Sequence, residues 1–128
     1  MLTHKPERID LEVLMKATEN NEDSVTHLLG VFLRIVPDMM FSLEANLREG
    51  RHAAISQYAH ALKSSLALVG AVQCSEEMEE LERLARRNEA SSDAAYIEHL
   101  RQELTAVLEE VRCCLQLRRP DFPSDGPL

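Results

Sequence analysis

The chain has no tryptophan, only four glycines among 128 residues, and 4% aromatic side chains. Alternating β-branched runs are absent, so nothing in it reads as a half-buried strand. It lacks any apolar run near the roughly 18 residues that suggest a bilayer-crossing helix. The N-terminal MLTHKPERID has no apolar signal core, so export by a cleaved leader is not expected. Three cysteines, Cys74, Cys113 and Cys114, are an odd number with two adjacent and no CxxC pair. That spacing supports neither a disulfide framework nor a cysteine-based zinc site. They are expected as buried or partly buried thiols of a cytoplasmic protein in a reducing compartment. Basic residues are outnumbered, 14 against 22 acidic, for a net charge of −8. This balance argues against nucleic acid and against an anionic membrane surface as partner.

What is present is helical periodicity. A length of 128 residues suits one domain. A short first helix is expected over about 9–18, with Ile9, Leu11, Val13, Leu14 and Ala17 on its apolar side. Asn21 is the expected N-cap of the second helix, with Glu22 and Asp23 in the first turn, where negative charge suits the helix dipole. Its stripe runs Val25, Leu28, Leu29, Phe32, Leu33, Val36, Met39, Met40, Leu43 and Leu47, in steps of three and four. Pro37 sits inside that stripe and predicts a kink or brief break. Gly50 should close the helix in the left-handed conformation.

A third helix is expected over about 52–69 with Gly70 as its stop. A fourth follows over about 75–88, with Met78, Leu81, Leu84 and Ala85 inward. Ser91 or Ser92 should cap the fifth, with Asp93 in its first turn. The seam of that helix is Ile97, Leu100, Leu104, Val107, Val111 and Cys114. The closing RRPDFPSDGPL has three prolines and no periodicity, which predicts a disordered tail. The expected architecture is all-α. It is an up-down-up-down four-helix bundle over 1–117 with a short N-terminal covering helix, followed by the tail 118–128.

The third helix carries the chemistry. With Ile55 at zero on a wheel of about 100° per residue, Tyr58, Ala59, Leu62, Leu66 and Val69 share the core face. His60 falls roughly 140° away and should point outward. Around it lie Ala53, Ser56, Gln57, Lys63, Ser64 and Ala67, a stripe of mostly small side chains that another protein can approach closely. A neutral imidazole is a competent nucleophile near pH 7, its ordinary pKa being about 6.5. A phosphoryl group on it would be within reach of Lys63 one turn on, with Ser64 and Gln57 as further donors. Nothing near His60 in the sequence resembles a metal site, a triad or a general-base dyad. His4, His27, His52 and His99 show no partner pattern. The acidic run Glu76, Glu77, Glu79, Glu80 and Glu82 reads as a solvated face, followed by Arg83, Arg86 and Arg87 as dipole-suited cations.

Residues 59–71, AHALKSSLALVGA, resemble the phosphorylation motif of histidine-containing phosphotransfer (HPt) domains, usually HxLKGS followed by a Gly-Ala pair. His60 matches the phosphorylated histidine, Leu62 the core leucine and Lys63 the phosphate-side lysine. Ser65 matches the motif serine, and Gly70 with Ala71 the closing pair. The segment FLRIVPDMMFSLEANLREGRHAAISQYAH resembles the family's second helix, mid-helix proline included, leading into the histidine helix, and MEELERLARRNE resembles the helix after it. The resemblance spans about 9–117 and departs at Ser64, where the family has glycine. Serine is small and keeps helix geometry, so transfer is expected to survive the change.

The resemblance implies a phosphocarrier of two-component phosphorelays with no autonomous kinase activity. His60 would accept a phosphoryl group from a receiver-domain phospho-aspartate and pass it to another receiver aspartate. Lys63 would stabilise the phosphate, and Ala53, Ser56, Gln57, Ser64 and Ala67 would form the docking stripe. The implied partners are receiver domains of response regulators and of hybrid sensor histidine kinases. The Mg²⁺ would sit on the receiver, leaving this chain, a monomer, with no cofactor or metal of its own. The competing reading is a non-phosphorylated helical adaptor that docks on receiver or kinase domains. A dimeric kinase helix pair and a di-iron bundle fit less well. The chain lacks a Gly-rich nucleotide pocket, and the single Glu-x-x-His pair, Glu49 and His52, straddles Gly50.

Overall fold

The computed structural model describes residues 8–119, and these contain five helices and no strand. They are α1 (Glu12–Ala17), α2 (Glu22–Glu49), α3 (His52–Leu68), α4 (Val72–Arg86) and α5 (Ala94–Arg118). Neighbouring elements pack in the order α4, α3, α2, α5, with α3 and α4 the most closely packed pair. The all-α bundle is as expected, and the connections between its long helices are short. The tail beyond Arg119 lies outside the described residues, and α5 extends one residue past the expected boundary, to Arg118. No helix among the described residues is long and apolar enough to cross a membrane.

The helix ends follow from local chemistry. The Asn21 side chain accepts from the Ser24 amide at 2.9 Å, which satisfies one orphan donor of α2. At the other end Gly50 takes φ 67°, and its amide and that of Arg51 turn back on Leu47 and Asn46 carbonyls. Between these caps α2 runs through Pro37 without interruption, so the brief break is not found. The missing amide costs on the order of 3 kcal/mol. Burial of Leu33, Val36, Met40 and Leu43 along the same face outweighs it.

Three boundaries differ from the sequence reading. The first helix begins at Glu12, because the Asp10 amide is held by the Val69 carbonyl at 3.0 Å and the Asp10 carboxylate accepts from the Glu12 amide. Ile9 is buried in this extended lead-in, whereas Val13 is half exposed and Ala17 exposed. A helix of six residues is not stable alone. Burial of Leu14 and Ile9 and the Arg8 contacts to Glu103 and Glu110 hold it in place. The fourth helix starts at Val72, directly after Gly70 and Ala71, and ends at Arg86, with Asn88 left-handed just beyond. Leu84 is only half buried. The fifth is capped by Asp93, whose carboxylate accepts from the Tyr96 amide. Ser92 instead donates to the Leu47 carbonyl and ties that end to α2.

The cysteines divide. Cys74 and Cys114 are buried as expected, but Cys113 is exposed. Burial, with Glu77 and Glu103 nearby, pushes the Cys74 thiol up to about 11, which leaves it protonated and inert at neutral pH.

Gly70 sets the junction between α3 and α4. Its φ is 73°, and a Cβ there would stand 2.0 Å from the Asp10 carbonyl oxygen. Gly50 is equally left-handed but would meet only the Ser92 hydroxyl at 3.9 Å. Gly50→Ala should therefore cost about 1–2 kcal/mol from backbone strain alone. Gly70→Ala should cost clearly more, because backbone must also move. Urea titration of both variants checks the order, and equal midpoints would contradict the close approach at Gly70.

Candidate functional site

The wheel of α3 is realised in the structure. Ile55, Ala59, Leu62, Leu66 and Val69 are buried and Tyr58 is half buried. His60 points outward, its side chain 60% exposed. Ala53, Gln57, Ser64 and Ala67 share the exposed surface of α3, while Ser56 is half buried. Lys63 is partly covered, and its nitrogen reaches toward α4.

The acidic run on α4 is not uniformly solvated. Glu82 is 3% exposed, shut between α3 and α4. Its Oε2 lies 2.9 Å from Nδ1 of His60, and its Oε1 accepts from Lys63 Nζ at 3.1 Å. Arg86, one turn along α4, donates to the same Oε2 at 2.6 Å. The sequence reading therefore needs correcting at three points. Glu82 is not part of a solvated face, Arg86 serves more than the helix dipole, and the histidine does have a carboxylate partner. A signal was present. Met78, Leu81, Glu82 and Ala85 follow the three- and four-residue steps of the buried stripe, so a carboxylate stood in register with the core.

An unpaired carboxylate at this depth would be costly. Burial by itself pushes the Glu82 carboxyl up. Hydrogen bonds from Lys63 and His60, with the charge of Arg86, more than offset that and hold it below the usual carboxylate range. The group is thus an anion near neutral pH. An ionised carboxylate only accepts hydrogen bonds, so Nδ1 of His60 must carry the proton and donate it. The other ring nitrogen, Nε2, then bears the lone pair on a side chain that is largely open to solvent. The result is an oriented nitrogen nucleophile beside two cations.

The helices that carry this cluster are cross-tied a few residues away. The Ser75 hydroxyl, near the start of α4, donates to the Lys63 carbonyl at 3.0 Å. That bond ties the first turn of α4 to α3, two turns before Glu82 meets His60.

A family model described as the Hpt domain matches residues 27–110, most of the bundle. The chain belongs to the Hpt family. The crystal structure of histidine-containing phosphotransfer protein B (HptB) from Pseudomonas aeruginosa PAO1 has the same fold. It superposes with a TM-score of 0.73 at 29% identity, covering 93% of this chain and all of that one. No match was found among curated proteins. As an Hpt protein the chain serves histidine phosphotransfer in a phosphorelay.

The remaining described histidines of this Hpt bundle lie apart from the cluster. His27 is exposed near the start of α2, and His52 is half buried at the start of α3. His99 was expected to lack a partner but hydrogen-bonds Glu77 across α4 and α5 at 2.9 Å, and that bond raises its pKa.

The depressed Glu82 carboxyl links stability to pH. Its stabilising contribution is fully present above the unfolded value of 4.5 and is lost as pH falls through the lower folded value. Compared with Glu82→Gln, the wild type should therefore lose ground as pH drops below 4.5. Urea melts of both between pH 3 and 7 read this directly. A stability difference that stays constant over that range would mean the carboxylate is not held as an anion.

Proposed function

We propose that His60 is the phosphoacceptor of this Hpt protein. It takes a phosphoryl group from a phospho-aspartate of one receiver domain and delivers it to an aspartate of another. The observation that carries the reading is the arrangement of His60 itself: an outward imidazole whose Nδ1 is occupied by Glu82, leaving Nε2 as the nucleophile.

The chain's own contribution to transfer is positional and electrostatic. In-line displacement at phosphorus needs an aligned nucleophile and neutralised charge more than covalent help. Glu82 fixes the ring's orientation. Lys63, held close by the same carboxylate, can turn from Glu82 Oε1 to a phosphoryl oxygen by side-chain rotation. Arg86, with most of its side chain exposed, can supply a second positive charge. The exposed Ala53, Gln57, Ser64 and Ala67, with Ser56 at the edge, present low relief to an approaching receiver. Ser64 places a hydroxyl where the family usually has no side chain.

The partners in this reading are receiver domains of response regulators and of hybrid sensor histidine kinases. The Mg²⁺ that neutralises charge during transfer is held by the receiver's acidic pocket. The chain acts as a cytoplasmic, monomeric phosphocarrier, with no cofactor of its own and no autonomous kinase activity. Its net charge of −8 favours protein partners over nucleic acid or an anionic membrane.

Incubation with a phosphorylated receiver should label the wild type and leave His60→Gln unlabelled. The label should be acid-labile and alkali-stable, as phosphohistidine is. Lys63→Ala should slow transfer about 10-fold or more, the worth of one charge-assisted hydrogen bond. A folded wild type that takes no label from several receivers, yet binds them, would instead identify the docking adaptor.

A further inference from the structure

The phosphocarrier reading brings a phosphoryl group, dense in negative charge, to the open side of α3. We propose that Ser64 is a phosphoryl-binding residue. Its hydroxyl donates a hydrogen bond to the group carried on His60 and biases the phosphate equilibrium toward this protein. The inference rests on His60 being the carrier. It concerns this chain rather than the family at large, where the position usually holds glycine.

Helix geometry brings the two residues together. His60 and Ser64 stand four positions apart in α3, one turn along the same surface, and both are exposed. Residues so spaced have Cβ atoms about 5–6 Å apart. Side chains on a helix also lean toward its N-terminus. Ser64 lies on the C-terminal side of His60, so its hydroxyl leans toward the imidazole. Gln57, the other uncharged donor, lies on the N-terminal side and leans away. During transfer the Nε2 lone pair forms the N–P bond, the aspartyl O–P bond breaks, and its electron pair leaves on the carboxylate. No bond to Ser64 forms or breaks, and its hydroxyl keeps its proton throughout. The hydrogen bond exists only while the group rests on His60, so it stabilises phosphohistidine relative to the phosphorylated receiver.

The donors around His60 differ in their existing commitments. Lys63 Nζ donates to Glu82 Oε1 at 3.1 Å, and Arg86 donates to Oε2 at 2.6 Å. A cation that swings wholly to a phosphoryl oxygen takes a donor from a carboxylate that is 3% exposed, and that loss offsets part of the gain. The Ser64 hydroxyl has no hydrogen-bond partner among the described residues. It does not even donate back to the carbonyl four positions earlier, as the Thr18 hydroxyl does to Leu14 at 2.9 Å. It exchanges only water for the phosphoryl oxygen. A serine side chain also loses far less rotamer freedom on being fixed than a lysine or an arginine. A charged acceptor makes the bond stronger than one between neutral groups.

The test uses the whole chain with one radiolabelled receiver domain that loses its own phosphate slowly. The partition of label between the two free proteins at dilute equilibrium reads the stability of the phosphohistidine, because docking contributions cancel. Ser64→Ala removes the hydroxyl and keeps Cβ, Ser64→Gly removes both, and Ser64→Thr keeps the hydroxyl. The Ala and Gly variants should each shift the partition toward the receiver by about 5-fold, the worth of one hydrogen bond, and the Thr variant should stay with the wild type. Identical partitions in all four proteins would overturn the inference and leave the carrier role standing. That holds even if the Gly variant changes the rate of transfer, since Ser64 would then act only as bulk on the docked face. A Thr variant that partitions like the Ala variant would overturn it as well. A wild type that takes no more label than His60→Gln would overturn both the inference and the carrier reading.

Discussion

A carboxylate closed between two helices persists only where its charge is answered, and the answer organises this site. Glu82 is nearly inaccessible, yet it is kept ionised by three donors: Lys63 and His60 from α3 and Arg86 from its own helix. The exchange is mutual. The donors make the buried anion tolerable, and the anion decides how each donor is held. It selects the imidazole tautomer, turns Nε2 outward and keeps a lysine and an arginine beside the ring. Removing either helix from its place would leave an uncompensated charge, so the site and the α3–α4 interface stand or fall together.

The rest of the bundle serves to keep that pair of helices in register. Gly70 lets the chain reverse tightly under the Asp10 backbone, and the Ser75 hydroxyl locks the first turn of α4 to Lys63. On the far side, α2 and α5 are longer, and they brace each other through Glu44 with Arg101 and Glu22 with Arg118. These exposed or half-exposed pairs add little energy individually. The uninterrupted apolar faces of the two helices carry the load, strong enough to absorb a proline in mid-helix. The imidazole of His60 therefore sits on a rigid helix rather than on a loop, the placement that the proposed in-line transfer needs.

Much of this was legible in the residues, and the failures have a common origin. The stripes of α2, α3 and α5 were read correctly because three- and four-residue steps report directly on which side is buried. The nearness of His60 and Lys63 is legible because they lie on one helix, a turn apart. Glu82 was misread because its neighbours Glu79, Glu80 and Glu77 made the segment look uniformly polar, and composition masked its register with Met78 and Ala85. Asp93 displaced the serines as the cap of α5 because Ser92 was drawn away to the Leu47 carbonyl, a contact between distant segments. Val13 looked apolar and inward, but the Asp10 tether delayed the start of α1 and turned that side chain out.

The sequence by itself determined an all-helical bundle, the outward histidine with its lysine, and the family motif around them. Each of these is encoded in spacings of a few residues along one helix, where backbone geometry converts sequence position into direction. Only the tertiary structure decided which ring nitrogen is free. That depends on a carboxylate 22 positions away in the chain, brought to 2.9 Å by the packing of α4 on α3. Helical periodicity fixes the face on which a side chain lies, but not the neighbour it meets across an interface. The register of two helices is set by close packing at Gly70, at Ser75 and along their shared core, and from that register the tautomer and orientation of His60 follow.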